Sequence, residues 1–379
     1  VLFVGNSLTH AKYDPARRLA NGYDAGRGAA GPHVHDLLCP SAAACSAAES
    51  EPPNDPDTFN YPAGITTLLQ KLDYLSAHKD AQYHETGPFG GVPGIVLRLS
   101  EQARVPLDVS ILAVSGSTLE GPNIGGNPRN AALIGDARWD HVVLQEFSTG
   151  PLPPTVVVNG HPVATTGDPA GFAAGVSGLV SRIDAADAAA GRAPIPVTLF
   201  QTQPLAALGF TSDDPAQPLY GSRSGPPGSP NAPYVGAPDP MGQVTSDLRN
   251  SYRAVAAGWN AANPNGSHLD VSPVGDGWLA AMRIGVARTD PFRPARYPGQ
   301  VDLWDADAPK ACCGLPVGYH PSAAGAYEDA LVLFGTLSNR EPLLMDPSGT
   351  IARALGIPAA SAAGLRAAAS VALHEPRNH

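Results

Sequence analysis

Residues 1–9 read VLFVGNSLT and join a strand pattern directly to a turn pattern. The first four residues are apolar and include two β-branched valines, which is typical of a buried strand. Gly5, Asn6 and Ser7 follow at once, and all three residue types favour tight turns. The triplet alone fits an ordinary turn equally well. In an open parallel sheet, however, such a turn lies at the carboxyl edge, where ligands bind, so the stretch predicts a Ser7 hydroxyl exposed at that edge.

Apolar runs and helical periodicities alternate along the rest of the chain. Further strands are predicted at 107–114, 141–145, 196–201 and 269–272. Crossover helices are predicted near 92–104, 129–137, 170–190 and 243–262. Another helix is predicted near 321–337, with Pro321 in its first turn and Ser322 available to cap it. This βαβα order is typical of an α/β fold, in which helices cover both faces of a mostly parallel sheet.

Glycine and proline residues are frequent between these predicted elements. The chain contains 41 glycines and 40 prolines, well above average usage, and they lie between the periodic segments without forming a repeat. They concentrate at 13–62 and 204–241, which we interpret as long loops inserted at one end of the sheet. We expect residues 1–345 to form one domain. The Ala-rich residues 346–379 are expected to form a helical extension packed on the same domain.

Composition and charge exclude several classes of protein. The chain is 43% hydrophobic and 15% charged, as in globular proteins with a sizeable core. Its net charge is −10 and it has no basic run, which argues against a nucleic-acid partner. No apolar stretch approaches the ~20 residues that a membrane-spanning helix needs. We expect a secreted or periplasmic bacterial protein whose signal peptide is already removed from this numbering. No pattern indicates an oligomeric state.

Four cysteines form two local pairs. Cys39 and Cys45 are spaced, whereas Cys312 and Cys313 are adjacent. An even count in pairs favours disulfides and an oxidising compartment, with buried thiols of a cytosolic protein as the alternative. Three connectivities are open. We favour local pairing, Cys39 with Cys45 and Cys312 with Cys313, and its main competitor is a cross-link between the two regions. No histidine lies at ligand spacing from either pair, so a zinc site is not expected.

Three later segments join the GNS turn in one set of motifs. They are AVSGSTL (113–119), WDHVVLQE (139–146) and GYHPSAAGAY (318–327). Together the four blocks resemble those of the SGNH (GDSL-like) hydrolases, particularly the branch whose first block reads Gly-Asn-Ser instead of Gly-Asp-Ser. The resemblance spans residues 1 to about 338, with gaps at the insertions. It implies a flavodoxin-like, three-layer α/β/α fold with about five strands and long inserted loops.

The resemblance also implies roles for individual residues. Ser7 matches the family's nucleophile and His320 its general base. The oxyanion hole would be formed by the N–H groups of Ser7 and Gly116 and by the Gln145 side-chain amide. The more widespread third block carries Gly-x-Asn-Asp, so Gln145 would replace an asparagine. A glutamine NH₂ group is a competent donor, although it reaches one methylene further.

The acid that would orient His320 is displaced in this chain. Family members usually carry an Asp three residues before the histidine, where this chain has Val317. We interpret residues 308–317 as an insertion, which favours Asp307 as the acid, with Asp305 or Asp302 as substitutes. A backbone carbonyl could also orient the ring and leave a dyad. The chemistry allows this because the acid orients the imidazole without taking up its proton.

The implied activity is hydrolysis of carboxylic esters through an acyl-enzyme on Ser7. This mechanism needs no metal or organic cofactor. The substrate could be a small-molecule or polymeric ester, including a lipid or a polyester. Alternatives are a carbohydrate O-deacetylase of the same fold and, less favoured, a catalytically idle binding module. His10 is interpreted as a loop residue that could touch substrate, and Glu146 as a buried structural residue at a strand end.

Overall fold

A six-stranded parallel sheet forms the centre of the protein in the computed structural model. The structure describes residues 1–11, 15–20, 33–38, 89–210, 232–304 and 320–375. The strands of the sheet are β1 (Leu2–Gly5), β2 (His35–Asp36), β3 (Ser110–Ala113), β4 (Val142–Leu144), β7 (Val197–Phe200) and β8 (Leu269–Ser272). Their spatial order is β2-β3-β1-β4-β7-β8. A separate antiparallel hairpin consists of β5 (Thr155–Val158) and β6 (His161–Ala164).

Helices cover both faces of this sheet. They are α1 (Gly91–Ala103), α2 (Pro128–Ile134), α3 (Pro169–Ala189), α4 (Ala206–Gly209), α5 (Pro240–Ala262), α6 (Val274–Arg283), α7 (Ala323–Ser338), α8 (Thr350–Ala354) and α9 (Ala359–His374). The apolar cluster on one face contains residues of α1, α6, α7 and α9, together with residues of α4, α8 and the first half of α5. Residues of α2, α3 and α5 form the cluster on the other face. The architecture is therefore the three-layer α/β/α arrangement expected from the sequence.

The first strand shows why this sequence forms a central strand. Phe3 packs into the cluster on one face, whereas Leu2 and Val4 pack into the cluster on the other. All three side chains are fully buried, as in parallel sheets that are covered on both sides. Each such side chain contributes about 1.5–3 kcal/mol relative to exposure. The strand pairs with β3 on one side and with β4 on the other.

The strand order places a crevice at the carboxyl end of β1. From β1 the chain continues to β2 and β3 on one side of it, and then returns to β4 on the other side. Connections that leave a strand in opposite directions create a topological switch point, where open α/β sheets bind ligands. Ser7 follows β1 and Gln145 follows β4 directly. Both side chains therefore start from the edge of the sheet at which a binding site is expected.

Three details differ from the expectations. The sheet has six strands instead of about five, because the two-residue β2 lies in a region interpreted only as loop. The hairpin β5–β6 was not predicted, although Asn159-Gly160 between two apolar runs is a hairpin signal. Pro321 lies one residue before the Ser322 cap of α7, so it precedes the first turn instead of forming part of it.

The C-terminal helix packs on the same body as the sheet helices. α9 contacts α6 and α7, and its Leu365, Ala368 and Ala369 are buried in the core. Among the proposed insertions, residues 308–317 lie outside the described residues. Of the other two, the structure describes only 15–20 and 33–38 in the first and 204–210 and 232–241 in the second. None of the described helices is long and apolar enough to cross a membrane.

Candidate active site

Ser7 and His320 meet at the carboxyl edge of the sheet. The Nε2 atom of His320 lies 3.0 Å from the Oγ atom of Ser7, although 313 residues separate the two in sequence. Both residues are largely enclosed, with 5% of Ser7 and 4% of His320 exposed. This is hydrogen-bond distance for a hydroxyl nucleophile and its general base. The structure thus brings together the two residues on which the sequence hypothesis depends.

Backbone hydrogen bonds shape the turn that carries Ser7. The Asn6 carbonyl accepts from the N–H groups of Thr9 at 3.0 Å and His10 at 3.2 Å. Glycine is required at position 5, since a Cβ atom there would collide with Thr9 Oγ1 and lie 2.7 Å from Gln145 Oε1. The tight turn places Ser7 just beyond the end of β1, as its sequence predicted. The prediction that its hydroxyl is exposed was wrong, since Ser7 is buried and lies against His320.

His320 lies just before the start of α7. Ser322 caps this helix, because its Oγ accepts from Ala324 N–H at 3.1 Å and from Gly325 N–H at 3.2 Å. The same hydroxyl donates to the Asp302 carbonyl at 2.6 Å. Gly325 allows close packing, since a Cβ atom there would collide with the Leu303 carbonyl. These contacts tie α7 to the 302–303 segment and thereby place His320 two residues before the cap.

The structure describes one of the three candidate acids. The Asp302 carboxylate accepts from Arg288 Nη1 at 3.2 Å and from Trp304 N–H at 3.1 Å. Asp305 and Asp307 lie outside the described residues. The assignment of Asp307 as the acid that orients His320 therefore stays a prediction.

The backbone N–H groups of Ser7 and Gly116 lie in the turns that follow β1 and β3. Ser117 N–H donates to the Val114 carbonyl at 3.2 Å, and Gly116 has φ 69°, as in a type II turn with glycine at its third position. Within the described part of the chain, neither the Gly116 N–H nor the Ser7 N–H donates a hydrogen bond. These are the two backbone donors that the resemblance assigned to the oxyanion hole.

Gln145 holds the Ser7 turn in place. Its Oε1 accepts from Asn6 N–H at 3.1 Å and from the Thr9 hydroxyl at 2.9 Å, and its Nε2 donates to the Glu146 carbonyl. An NH₂ group carries two hydrogens, so one donor of Gln145 remains for a substrate oxygen. A positioning role thus accompanies the predicted oxyanion role of Gln145, which stays a prediction.

Glu146 links the strand end of β4 to the loop after β3. Its carboxylate accepts from Leu119 N–H at 3.1 Å and from Phe147 N–H at 2.6 Å. Burial raises the pKa of Glu146 to about 7, with a smaller contribution from the nearby acidic side chains of Asp168 and Glu120, although the two backbone hydrogen bonds lower it. Among the described residues, the hydrogen bonds of its carboxylate come from backbone N–H groups, which fits the structural role expected from the sequence.

His10 makes contacts near the site that the sequence interpretation did not predict. It lies in a turn, in agreement with its interpretation as a loop residue, and it is fully buried. Its Nε2 lies 2.9 Å from Ser115 Oγ, and its ring stacks on Phe89 with 4.3 Å between ring centroids. The feature of the sequence that distinguishes His10 from the other histidines is its position three residues after Ser7. The partner, Ser115, directly precedes Gly116.

The remaining predicted residues concern disulfides and metals. Cys39, Cys45, Cys312 and Cys313 all lie outside the described residues, so their pairing stays a prediction. Across the described ranges, no cluster of three or more His, Cys, Asp or Glu side chains is arranged to hold a metal ion.

Comparison with known proteins finds two similar solved structures. One is a DUF4886 family protein from Bacteroides uniformis, with 14% identity over 74% of this chain and 88% of that chain and a TM-score of 0.42. The other is a candidate SGNH hydrolase from Slackia heliotrinireducens, with 20% identity over 65% of this chain and 90% of that chain and a TM-score of 0.34. No family model matches the sequence, and no curated protein matches it. Both TM-scores are below 0.5, so neither similarity assigns a function to this chain.

Proposed function

We propose that the protein is a serine hydrolase that cleaves carboxylic esters, with Ser7 as the nucleophile and His320 as its general base. The observation that carries this proposal is the 3.0 Å distance between Ser7 Oγ and His320 Nε2 at the switch point of the sheet. The N–H groups of Ser7 and Gly116 support it, because acyl transfer needs donors where negative charge develops.

The reaction begins when His320 Nε2 takes the Ser7 proton as Oγ attacks the ester carbonyl carbon. The carbonyl oxygen becomes negatively charged and accepts from the Ser7 and Gly116 N–H groups and from the second hydrogen on Gln145 Nε2. The tetrahedral intermediate then collapses, and His320 donates its proton to the departing alkoxide. A water molecule, deprotonated by His320, attacks the acyl-enzyme and releases the carboxylic acid and free Ser7.

An acid behind His320 would hold the ring and stabilise its charged form. Asp307 is proposed for this role, with Asp305 and Asp302 as alternatives. Asp307→Asn is expected to lower kcat less than His320→Ala does. A larger loss of kcat from Asp305→Asn would mean that the proposed position of the insertion is wrong by two residues.

The direct kinetic test is Ser7→Ala. Hydrolysis of p-nitrophenyl acetate is expected to fall by about 10⁴-fold or more, and His320→Ala should cost a comparable amount because the two residues act as a unit. Ser100→Ala is a matched control, since Ser100 is also buried but its hydroxyl only donates to a carbonyl within α1. Wild-type rates in Ser7→Ala would overturn the proposal.

Gln145→Ala tests the third donor. If the amide binds the oxyanion, kcat falls about 10²-fold with a smaller change in KM. A change in KM alone would make Gln145 a substrate-binding residue instead. Because Gln145 also holds the Ser7 turn, Gln145→Glu is measured beside it. This change keeps an acceptor for Asn6 N–H and Thr9, but it removes the NH₂ group and turns a carboxylate oxygen toward the Glu146 carbonyl, so kcat is expected to fall at least as far as in Gln145→Ala.

The acyl substrate is proposed only as a class. Rates on acetylated xylan, tributyrin and a polyester film would distinguish a carbohydrate deacetylase from a lipase or a polyester hydrolase. A protein that hydrolyses none of these or p-nitrophenyl acetate would fit the idle binding module.

The proposed location of the protein is outside the cytoplasm, with Cys39–Cys45 and Cys312–Cys313 disulfides. Peptide mapping without reduction tests the pairing. A fragment that joins the region of Cys39 to that of Cys312 would exclude local pairs. Titratable thiol in the unfolded, unreduced protein would exclude both the local pairing and the cross-linked pairing, because each predicts that no thiol is free.

A further inference from the structure

A second serine–histidine contact lies beside the Ser7–His320 pair. His10 Nε2 is 2.9 Å from Ser115 Oγ, with His10 fully buried and Ser115 7% exposed. The two residues follow neighbouring strands, since His10 lies just beyond the Ser7 turn after β1 and Ser115 lies just beyond β3. The mechanism proposed above uses neither side chain.

Ser115 directly precedes Gly116, so the peptide group that joins the two residues carries the Gly116 N–H. The turn runs from Val114 to Ser117, and the peptide group between Ser115 and Gly116 is its central one. The hydrogen bond that closes the turn does not involve this peptide group, so the closing bond does not itself fix the direction of the Gly116 N–H. A side-chain hydrogen bond at Ser115 therefore restrains the direction of the Gly116 N–H.

His10 is itself held rigidly. Its N–H donates to the Asn6 carbonyl at 3.2 Å, and the neighbouring Thr9 carbonyl accepts from Val92 N–H at 3.1 Å. The start of α1 packs directly on its backbone, since a Cβ atom at Gly91 would lie 2.5 Å from the His10 carbonyl carbon. Phe89 covers the ring in a nearly parallel stack, with 12° between the planes. The histidine is thus a fixed point from which Ser115 can be oriented.

The other end of the same loop is anchored separately. Asn6 Nδ2 donates to the Ser117 carbonyl at 3.1 Å, and Leu119 N–H donates to the Glu146 carboxylate at 3.1 Å. These bonds fix the residues after Gly116, whereas the Ser115 hydroxyl is the side-chain anchor before it. The His10 contact completes the restraint on both sides of the glycine.

We propose that His10 and Ser115 form a positioning pair that holds the Gly116 N–H in the oxyanion hole. This inference rests on the proposed esterase function and adds a second histidine on which the rate depends. His10 takes no proton from substrate or nucleophile. Because a positioned N–H acts on the charge that develops during the reaction, loss of the pair lowers kcat and leaves substrate binding nearly unchanged.

The test compares Ser115→Ala, His10→Phe and the double variant with p-nitrophenyl acetate as substrate. His10→Phe keeps a ring against Phe89 but removes the hydrogen bond. We expect each single variant to lower kcat about 10- to 100-fold, with KM within about threefold of wild type. The double variant should lose no more than either single variant, because both remove the same interaction. Ser115→Thr, which keeps the hydroxyl, should restore most of the rate.

Controls separate positioning from simple loss of folded protein. Rates are expressed per active site, counted by complete labelling with a fluorophosphonate probe, so unfolded molecules do not enter kcat. Ser100→Ala removes a buried hydroxyl outside this loop, and it should keep kcat within about threefold of wild type. The pH at which kcat/KM falls on the acid side should be the same in Ser115→Ala and wild type, because His320 remains the base.

Wild-type kcat in Ser115→Ala, with Ser7→Ala inactive, would overturn this inference and leave the proposed function intact. A change, in Ser115→Ala, of the pH at which kcat/KM falls on the acid side would also overturn it, because His10 would then take part in proton transfer. An active Ser7→Ala variant that carries the probe on Ser115 would overturn both and make Ser115 the nucleophile.

Discussion

Replacing Asn6 by aspartate separates the two hydrogen bonds that its side chain makes. Asn6 Oδ1 accepts from Leu8 N–H at 3.1 Å, and Asn6 Nδ2 donates to the Ser117 carbonyl at 3.1 Å. An aspartate keeps the first bond, but its second oxygen faces a carbonyl that is also an acceptor. The SGNH hydrolases that the sequence resembles more widely carry Gly-Asp-Ser at this position. Asn6→Asp therefore tests whether the turn in this chain depends on the side-chain NH₂ group of Asn6.

The expected cost follows from the burial of the pair. Asn6 is 1% exposed. Losing one neutral hydrogen bond costs about 1 kcal/mol, and leaving the buried Ser117 carbonyl without a donor adds about 1–2 kcal/mol. We therefore expect Asn6→Asp to lower the free energy of unfolding by about 2–3 kcal/mol at pH 8. Burial raises the pKa of such an aspartate, and its protonated form can donate, so the deficit should shrink as the pH falls.

Urea unfolding at pH 5 and pH 8 measures both effects. The matched control is Asn123→Asp, because Asn123 Nδ2 donates to the Ser117 hydroxyl at 3.2 Å in the same loop. A hydroxyl can rotate and donate to the new carboxylate, so this change should cost less than about 1 kcal/mol. Equal losses in the two variants, or an Asn6→Asp protein as stable as wild type at pH 8, would refute the reasoning.

Three further changes test the packing and electrostatics around the site. Gly325→Ala should destabilise the fold by about 1–3 kcal/mol, measured by thermal unfolding, because the new Cβ collides with the Leu303 carbonyl and lies 2.6 Å from the Trp278 ring. The pKa of Glu146 is raised to about 7, so the folded state binds more protons than the unfolded state near neutral pH. The free energy of unfolding of the wild type should therefore fall by up to about 3 kcal/mol between pH 5 and pH 8. Glu146→Gln should flatten this slope, and an unchanged slope would contradict the raised pKa of Glu146. Glu328 is fully buried, its carboxylate has no hydrogen-bond partner among the described residues, and burial raises its pKa well above the usual range. Glu328→Gln should therefore match wild type at pH 5 but exceed its stability at pH 9 in chemical unfolding, and the reverse order would show a charged, paired Glu328.

Local patterns were sufficient to predict the elements that carry the site. The apolar run and the Gly-Asn-Ser turn predicted β1 and the place of Ser7, because strand and turn preferences act over a few residues. Ser322 was predicted to cap the helix after His320 for the same reason, and it does. The α/β class followed from the alternation of such elements along the chain.

Contacts between distant parts of the chain could not be predicted in this way. The His10–Ser115 contact joins residues 105 positions apart and depends on β1 lying beside β3. The contact between Gln145 and Asn6 N–H likewise depends on β4 lying on the other side of β1. Strand order is set by the packing of the whole sheet, so no local pattern contains it. The hairpin β5–β6 is different, since its Asn-Gly turn signal was present in the sequence.

Covalent labelling by a fluorophosphonate probe, mapped by peptide mass spectrometry, identifies the nucleophile of the protein directly. We expect a single adduct on Ser7, formed at a rate that falls sharply in His320→Ala and absent in Ser7→Ala. The Ser100→Ala control should be labelled like wild type. No adduct in the folded wild-type protein, or an adduct on any residue other than Ser7, would contradict the assignment of Ser7 as the nucleophile.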